Sequence, residues 1–202
     1  FPSEKDRMYR VLGRIRRFQR EHGSRQVQGR WAYAKRLNIE LGRKIAKEIV
    51  FYASENKADV IVFEYLEMKG KLSGKKKQKL QMWRKRDIQK RCGQQAHRKG
   101  IRISRICAWN TSRLAFDGSG KIDRDIQDHR LCTFQNGKRY HCDLSASYNI
   151  GARYFIREIL KPLPATERSL LEAKVPAVKR RTSCVYADLK ELHLQMEILK
   201  AA

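Results

Sequence analysis

Two carboxylates stand where short, stiff elements would carry them. Glu64 ends the apolar run Asp59-Val-Ile-Val-Phe-Glu64, and Asp143 opens the small-residue stretch Asp143-Leu-Ser-Ala-Ser-Tyr-Asn-Ile150. Carboxylate oxygens are the natural ligands of hard divalent cations such as Mg²⁺ or Mn²⁺. A pair of such ions clamps the attacking and leaving oxygens of a phosphodiester displacement. Each residue also has an ordinary role: a Glu at a strand end is often simply solvated, and an Asp before a helix is a good N-cap. A complete two-ion site needs a further carboxylate. Asp117, Asp123, Asp125 and Asp128 are available, all in turn-rich sequence that suits surface roles. Arg124, among them, is a candidate phosphate clamp, because a guanidinium presents a fixed fork of donors to phosphate oxygens.

The cysteines point elsewhere. Cys132 and Cys142 lie near His129 and His141, but they form no CxxC pair, and adjacent His141-Cys142 make poor joint ligands, so zinc is not expected. Cys92, Cys107 and Cys184 read as packed thiols. Five cysteines in a chain of ordinary size argue against a secreted disulfide scaffold, and the expected compartment is the cytoplasm.

The apolar, β-branched run at 59–63 predicts a buried strand. That places Glu64 at its exit, the sheet edge where open α/β folds hold ligands. Ile101-Arg-Ile-Ser-Arg-Ile106 alternates and predicts a second strand. From Asp143 to Leu160 the spacing predicts a helix, with Leu144, Tyr148, Gly151, Ala152, Phe155 and Ile159 as its apolar face. Asn149, Arg153 and Arg157 fall off that face, and Pro162 and Pro164 end the helix. Upstream, residues 4–22 (Met8, Val11 or Leu12, Ile15, Phe18) and 25–55 (Trp31, Ala34, Leu37, Leu41, Ile45, Ile49, Tyr52) predict an antiparallel helical pair. A loop is expected at 67–79, a helix at 80–98 stopped by Gly100, and a hairpin around Asn136-Gly137. After 165 a loop leads to a helix over 186–200 with Leu189, Leu192, Met196 and Leu199 on one side. Trp31, Trp83 and Trp109 read as core residues, with base stacking as a second role for Trp83.

The charge balance names a partner class. Among 202 residues, 46 Lys and Arg face 21 Asp and Glu, a formal charge of +25, with an apolar fraction of 41% that suffices for a core. Such an excess attracts phosphate backbones with a steep salt dependence. The candidate contacts are Arg30, Lys35, Arg36 and Arg43 on the long helix, Lys75, Lys76 and Lys77 in the loop, and Arg84 and Arg86 beyond it. No apolar run reaches the ~20 residues of a membrane span, and the segment from Phe1 lacks both an initiator Met and a signal-peptide core.

The order of these features resembles the C-terminal part of transposon-encoded TnpB (OrfB) proteins and the related type V CRISPR effectors, over about Arg25 to Arg157. The long basic helix and Ala58-Asp-Val-Ile-Val-Phe-Glu-Tyr-Leu66 resemble the second RuvC motif. His97-Arg-Lys-Gly-Ile-Arg-Ile103 resembles the strand entry that follows. Asn110-Thr-Ser112 resembles the Thr-Ser that introduces a zinc ribbon, and Asp143-Leu-Ser-Ala-Ser-Tyr-Asn-Ile150 the third RuvC motif, usually Asp-x-Asn-Ala-Ala-x-Asn-Ile. The resemblance implies an α/β fold with a partial RNase H-like (RuvC) core and an RNA-guided, Mg²⁺-dependent DNA nuclease. Glu64 and Asp143 would be two of three metal ligands, and Arg124 would lie near the scissile phosphate. It divides the chain into a basic helical pair (1–56), a core segment (57–108), a degenerate zinc-ribbon-like insert (109–142), the third-motif helix (143–161) and an appendage (162–202). The first RuvC motif, with the remaining catalytic Asp, is expected upstream of Phe1, so this chain alone is expected to be inactive. The ribbon is expected to be metal-free: Ala115 and Gly118 stand at its first ligand pair, Cys132 keeps one later position, and Gln135 stands near the other. DNA, a guide RNA and the upstream half of the same protein are the implied partners. The alternative is an RNA-guided DNA-binding protein with a dead nuclease.

Overall fold

Pro at the first helical position, Glu4 in the first turn, and Arg20 and His22 in the last turn suit a helix start and end. α1 spans Pro2–His22 and stops at Gly23, whose φ of +76° belongs to the left-handed region that glycine enters without penalty. α2 spans Gln28–Glu55. The structure is a computed structural model that describes residues 2–23, 27–65, 85–180 and 182–201. Met8, Leu12 and Ile15 of α1 pack on Ala34 and Leu37 of α2, with Val11 and Trp31 at the margin. Lys44 bonds Glu4 at 3.3 Å at one end, and Arg30 lies 3.9 Å over the Phe18 ring at the other, so the pair is antiparallel as its periodicity predicts.

The second buried stripe of α2 differs from the expected one. Gly42, Ala46, Val50 and Ala53 are buried, whereas Leu41, Ile45 and Ile49 are half-buried and Tyr52 is exposed. Small side chains let a neighbouring helix approach. α3 (Lys85–His97) packs on α2, and its fully buried Cys92 donates its thiol to the Ala46 carbonyl at 3.8 Å. Gly100, at φ +71°, follows α3. The predicted loop at 67–79 and the first residues of the helix predicted from 80 lie outside the described residues, as does Trp83.

β1 (Val60–Tyr65) and β2 (Arg102–Cys107) form a two-stranded sheet, and their starts are joined by Arg102 N donating to Asp59 O at 2.8 Å. β1 runs further than the sequence suggests, so Glu64 lies inside the strand and not after it. The chain divides into two compact units. One comprises 1–61 and 69–103; the other comprises 62–68 and 104–202.

In the second unit, β3 (Asp123–Arg124), β4 (Leu131–Thr133) and β5 (Arg139–His141) form an antiparallel sheet in that order, with Arg124 opposite Cys132 and Cys132 opposite Tyr140. The β4–β5 hairpin turns through Asn136-Gly137, with Gly137 at φ +81°, as its turn chemistry predicts. α4 (Cys142–Leu160) leads to α5 (Ala165–Lys174), a 3-10 turn at Pro176–Arg180, and α6 (Tyr186–Ala201). Two of these replace the loop expected after 165. α4 shares one core with everything beyond it: Ala152, Ile156 and Leu160 pack with Leu171, Val175, Val178, Leu189 and Leu192. No described helix is long and apolar enough to cross a membrane.

Candidate functional site

The polar face of α4 is where this unit is held together. Asn149, Arg153 and Arg157 are spaced i, i+4 and i+8, so they share one helix face. The sequence reading put them off the packing face, but the structure buries Asn149 and Arg153. Asn149 donates through Nδ2 to the carbonyls of Thr111 (3.0 Å) and Leu114 (2.8 Å), and its Oδ1 accepts from Tyr186 N at 3.2 Å. Arg153, 2% exposed, donates through Nη1 to the carbonyls of Cys107 (2.9 Å) and Trp109 (2.7 Å), and through Nε to Cys184 O (2.9 Å). Arg157 reaches Arg105 O and Ser104 Oγ at 2.9 and 2.6 Å. These side chains form a ladder that pins α4 to β2 and to the loop after it. Buried carbonyls need partners, and each one left unpaired costs about 1–3 kcal/mol. Burial pulls the Arg153 guanidinium below its ordinary pKa; the thiols of Cys184 and Cys107 and the Glu64 carboxylate pull it the other way.

The loop gripped by this ladder also holds Glu64. Asn110 takes the left-handed conformation, φ +58°, which Asn tolerates better than most residues. The chain then folds back, with Arg113 N and Leu114 N donating to Asn110 O at 3.0 and 3.2 Å. Thr111, 2% exposed, turns its hydroxyl onto the Glu64 carboxylate in a short hydrogen bond, with Ala108 O also 3.1 Å from the hydroxyl. Arg124, exposed on β3, donates to Ser112 O at 3.2 Å. Thr111 and Asn149 are thus the residues that sequence reasoning quoted in motifs but gave no role. The signal was present in the polar positions themselves, since Asn and Thr among small apolar residues are either solvated or bonded.

Asp143 is exposed in the first turn of α4 and is not the N-cap. That place belongs to His141, whose Nδ1 accepts from Asp143 N at 3.2 Å. A carboxylate at that end is favoured by the helix dipole. Glu64 and Asp143 therefore sit in one unit, both mounted on elements that the loop at 108–114 ties together. Their hard oxygens suit Mg²⁺ in kind. Among the described residues, however, no group of three or more His, Cys, Asp or Glu that could hold a metal ion comes together. Asp125 and Asp128 have local duties. Asp125 accepts from Gln127 N and Asp128 N and pairs with Arg139, and Asp128 pairs with Arg130, whose hydrogen bonds hold its carboxyl down at about 2.

In the insert the buried cysteines are packed among apolar side chains. Ala115, Cys132, Phe134 and Cys142 form a small apolar core with Phe116, Ile122 and Tyr140 around it. Burial, reinforced by the neighbouring Cys142 thiol, pushes the Cys132 thiol up to about 11. Gln135 lies against Gly120, where a Cβ would come within 2.6 Å of its Oε1. Trp109 is 67% exposed, contrary to the core role expected for it.

In the first unit, Lys35, Arg36 and Arg43 are exposed on α2 and Arg86 on α3. Arg30 stacks on Phe18, which presents its guanidinium at a fixed place. Lys75, Lys76, Lys77 and Arg84 lie outside the described residues. No family model matches the chain, and a search of curated proteins found no match to it.

Proposed function

We propose that this chain is the C-terminal part of an RNA-guided, divalent-metal-dependent DNA endonuclease of the TnpB-like kind, with Glu64 and Asp143 as two of its metal ligands. What supports the reading most is the hydrogen bond from buried Thr111 to Glu64, in a loop that Asn149 of α4 also holds. It joins the two segments that carry the carboxylates through residues of the same sequence motifs. The formal charge of +25 supports the nucleic-acid partner. When bound, Mg²⁺ or Mn²⁺ would activate the attacking water and stabilise charge on the leaving oxygen. Thr111 would fix the Glu64 carboxylate, α4 would fix Asp143, and Arg124, tied to Ser112, would meet a phosphate oxygen.

The test is cleavage by the longer protein that includes the upstream motif. Glu64→Gln and Asp143→Asn are expected to abolish Mg²⁺-dependent cutting of target DNA while binding persists. Full cleavage by both variants would remove the assignment. A second reading rests on the hydrogen bond that Thr111 gives Glu64, together with the formal charge of +25: Glu64 then only holds the loop at 108–114, and the protein binds nucleic acid without cutting it. In that case Glu64→Gln lowers the melting temperature, and the unsubstituted protein shows no cleavage.

A further inference from the structure

α4 turns apolar side chains away from its own core. Leu144, Tyr148 and Phe155 are 52%, 42% and 53% exposed, although the sequence reading placed them on the packing face. Tyr148 and Phe155 border a groove of about 510 Å³ between α4 and α6, with Ser147 and Gly151 on one side and Tyr186 and His193 on the other. The volume is that of a small-ligand site. Its aromatics are continuous: Phe116 lies 4.9 Å from Tyr148, and Tyr148 lies 5.3 Å from Tyr186. A cation stands at each end of the row. Lys138 Nζ is 4.9 Å from the Phe116 ring centre and Lys190 Nζ is 5.3 Å from that of Tyr186. Aromatic faces that stack bases, flanked by ammonium groups that meet phosphates, are the parts of a single-strand platform. The groove also lies in line with Asp143. Asp143, Ser147 and Gly151 are spaced i, i+4 and i+8, so they follow one face of α4 over about 12 Å.

We propose that the groove between α4 and α6 holds unpaired bases of a bound DNA strand, stacked on Tyr148, Phe155 and Tyr186, with its phosphates on Lys138 and Lys190. The proposal rests on the DNA-substrate part of the proposed function and not on the metal chemistry.

Gly151 supplies a sharp test. A Cβ built there meets nothing within 4 Å, so a side chain enters the groove without disturbing the core. Binding of fluorescein-labelled dT12, rU12 and a 12-base-pair duplex to the full chain is followed by anisotropy, with circular dichroism as the control for folding. Gly151→Leu is expected to weaken dT12 binding about tenfold or more, the equivalent of losing one stacked base, with the fold intact and the duplex unaffected. Phe155→Ser and Tyr148→Leu are expected to do the same, and Tyr148→Trp to retain binding. Lys190→Ala is expected to flatten the salt dependence by about one ion. Unchanged dT12 affinity in folded Gly151→Leu and Phe155→Ser overturns the groove assignment and leaves nucleic-acid binding standing. A chain that binds no oligonucleotide at all overturns both readings. Tighter binding of rU12 than dT12, lost in Gly151→Leu, overturns the DNA assignment. A concentration-dependent dimer abolished by Gly151→Leu, with dT12 affinity unchanged, gives the groove to a second copy and overturns the proposal.

Discussion

α2 and α4 are held to their neighbours by different kinds of contact, although both bury apolar side chains. The stripe of α2 that packs on α3 is made of Gly42, Ala46, Val50 and Ala53, while Lys35, Arg36 and Arg43 stay in water. The buried stripe of α4 includes Asn149 and Arg153, bonded through Nδ2 and through Nε and Nη1 to carbonyls of other segments, while Leu144, Tyr148 and Phe155 face solvent. The first helix is held by close packing, which fixes distance but not register. The second is held by hydrogen bonds to named carbonyls, which fix register as well.

This contrast can be broken at either helix. Arg153→Met keeps the bulk and deletes three bonds to carbonyls, and is expected to destabilise by about 3 kcal/mol, read as a lower urea midpoint. Ala46→Leu inserts volume at a fully buried contact in the first unit and is expected to cost about 2 kcal/mol. If Arg153→Met costs clearly less than Ala46→Leu, the ladder is not what holds α4. The smallest effects belong to the exposed cations: Arg36→Ala and Arg43→Ala are expected to shift stability by under ~0.5 kcal/mol. Each is expected to lower the slope of log affinity against log salt by about one.

How far the sequence led depended on which force shapes each segment. α1, α6 and the start of α2 follow apolar periodicity, and their buried residues were foreseeable because burial of apolar side chains drives them; beyond Leu37 the buried stripe of α2 is Gly42, Ala46, Val50 and Ala53, which periodicity of large side chains did not single out. The two strands and the Asn136-Gly137 hairpin were legible for similarly local reasons. α4 was read with its faces partly exchanged: Ala152 and Ile159 pack in the core as expected, but Leu144, Tyr148 and Phe155 are exposed. Its length and span were clear from the spacing and the prolines, but periodicity treats Asn149 and Arg153 as outward, and only the partner carbonyls of segments 107–114 and 184 make them inward. The same limit hid the role of Thr111, whose partner is 47 residues away. The N-cap was misplaced by a feature that residue preference does not flag, since His is not a common cap. Glu64 and Asp143 stood out from the beginning. That one loop serves both of their elements could not be read from either motif.

The proposed function stands or falls on Glu64 and Asp143 as metal ligands. The most direct measurement is paramagnetic broadening of backbone amide resonances on titrating this chain with Mn²⁺. The account predicts that amides around Glu64, Thr111 and Asp143 broaden first, and that Glu64→Gln and Asp143→Asn each abolish the effect. Broadening centred on Asp125 and Asp128, or undiminished at Glu64 and Asp143 in both variants, would contradict it.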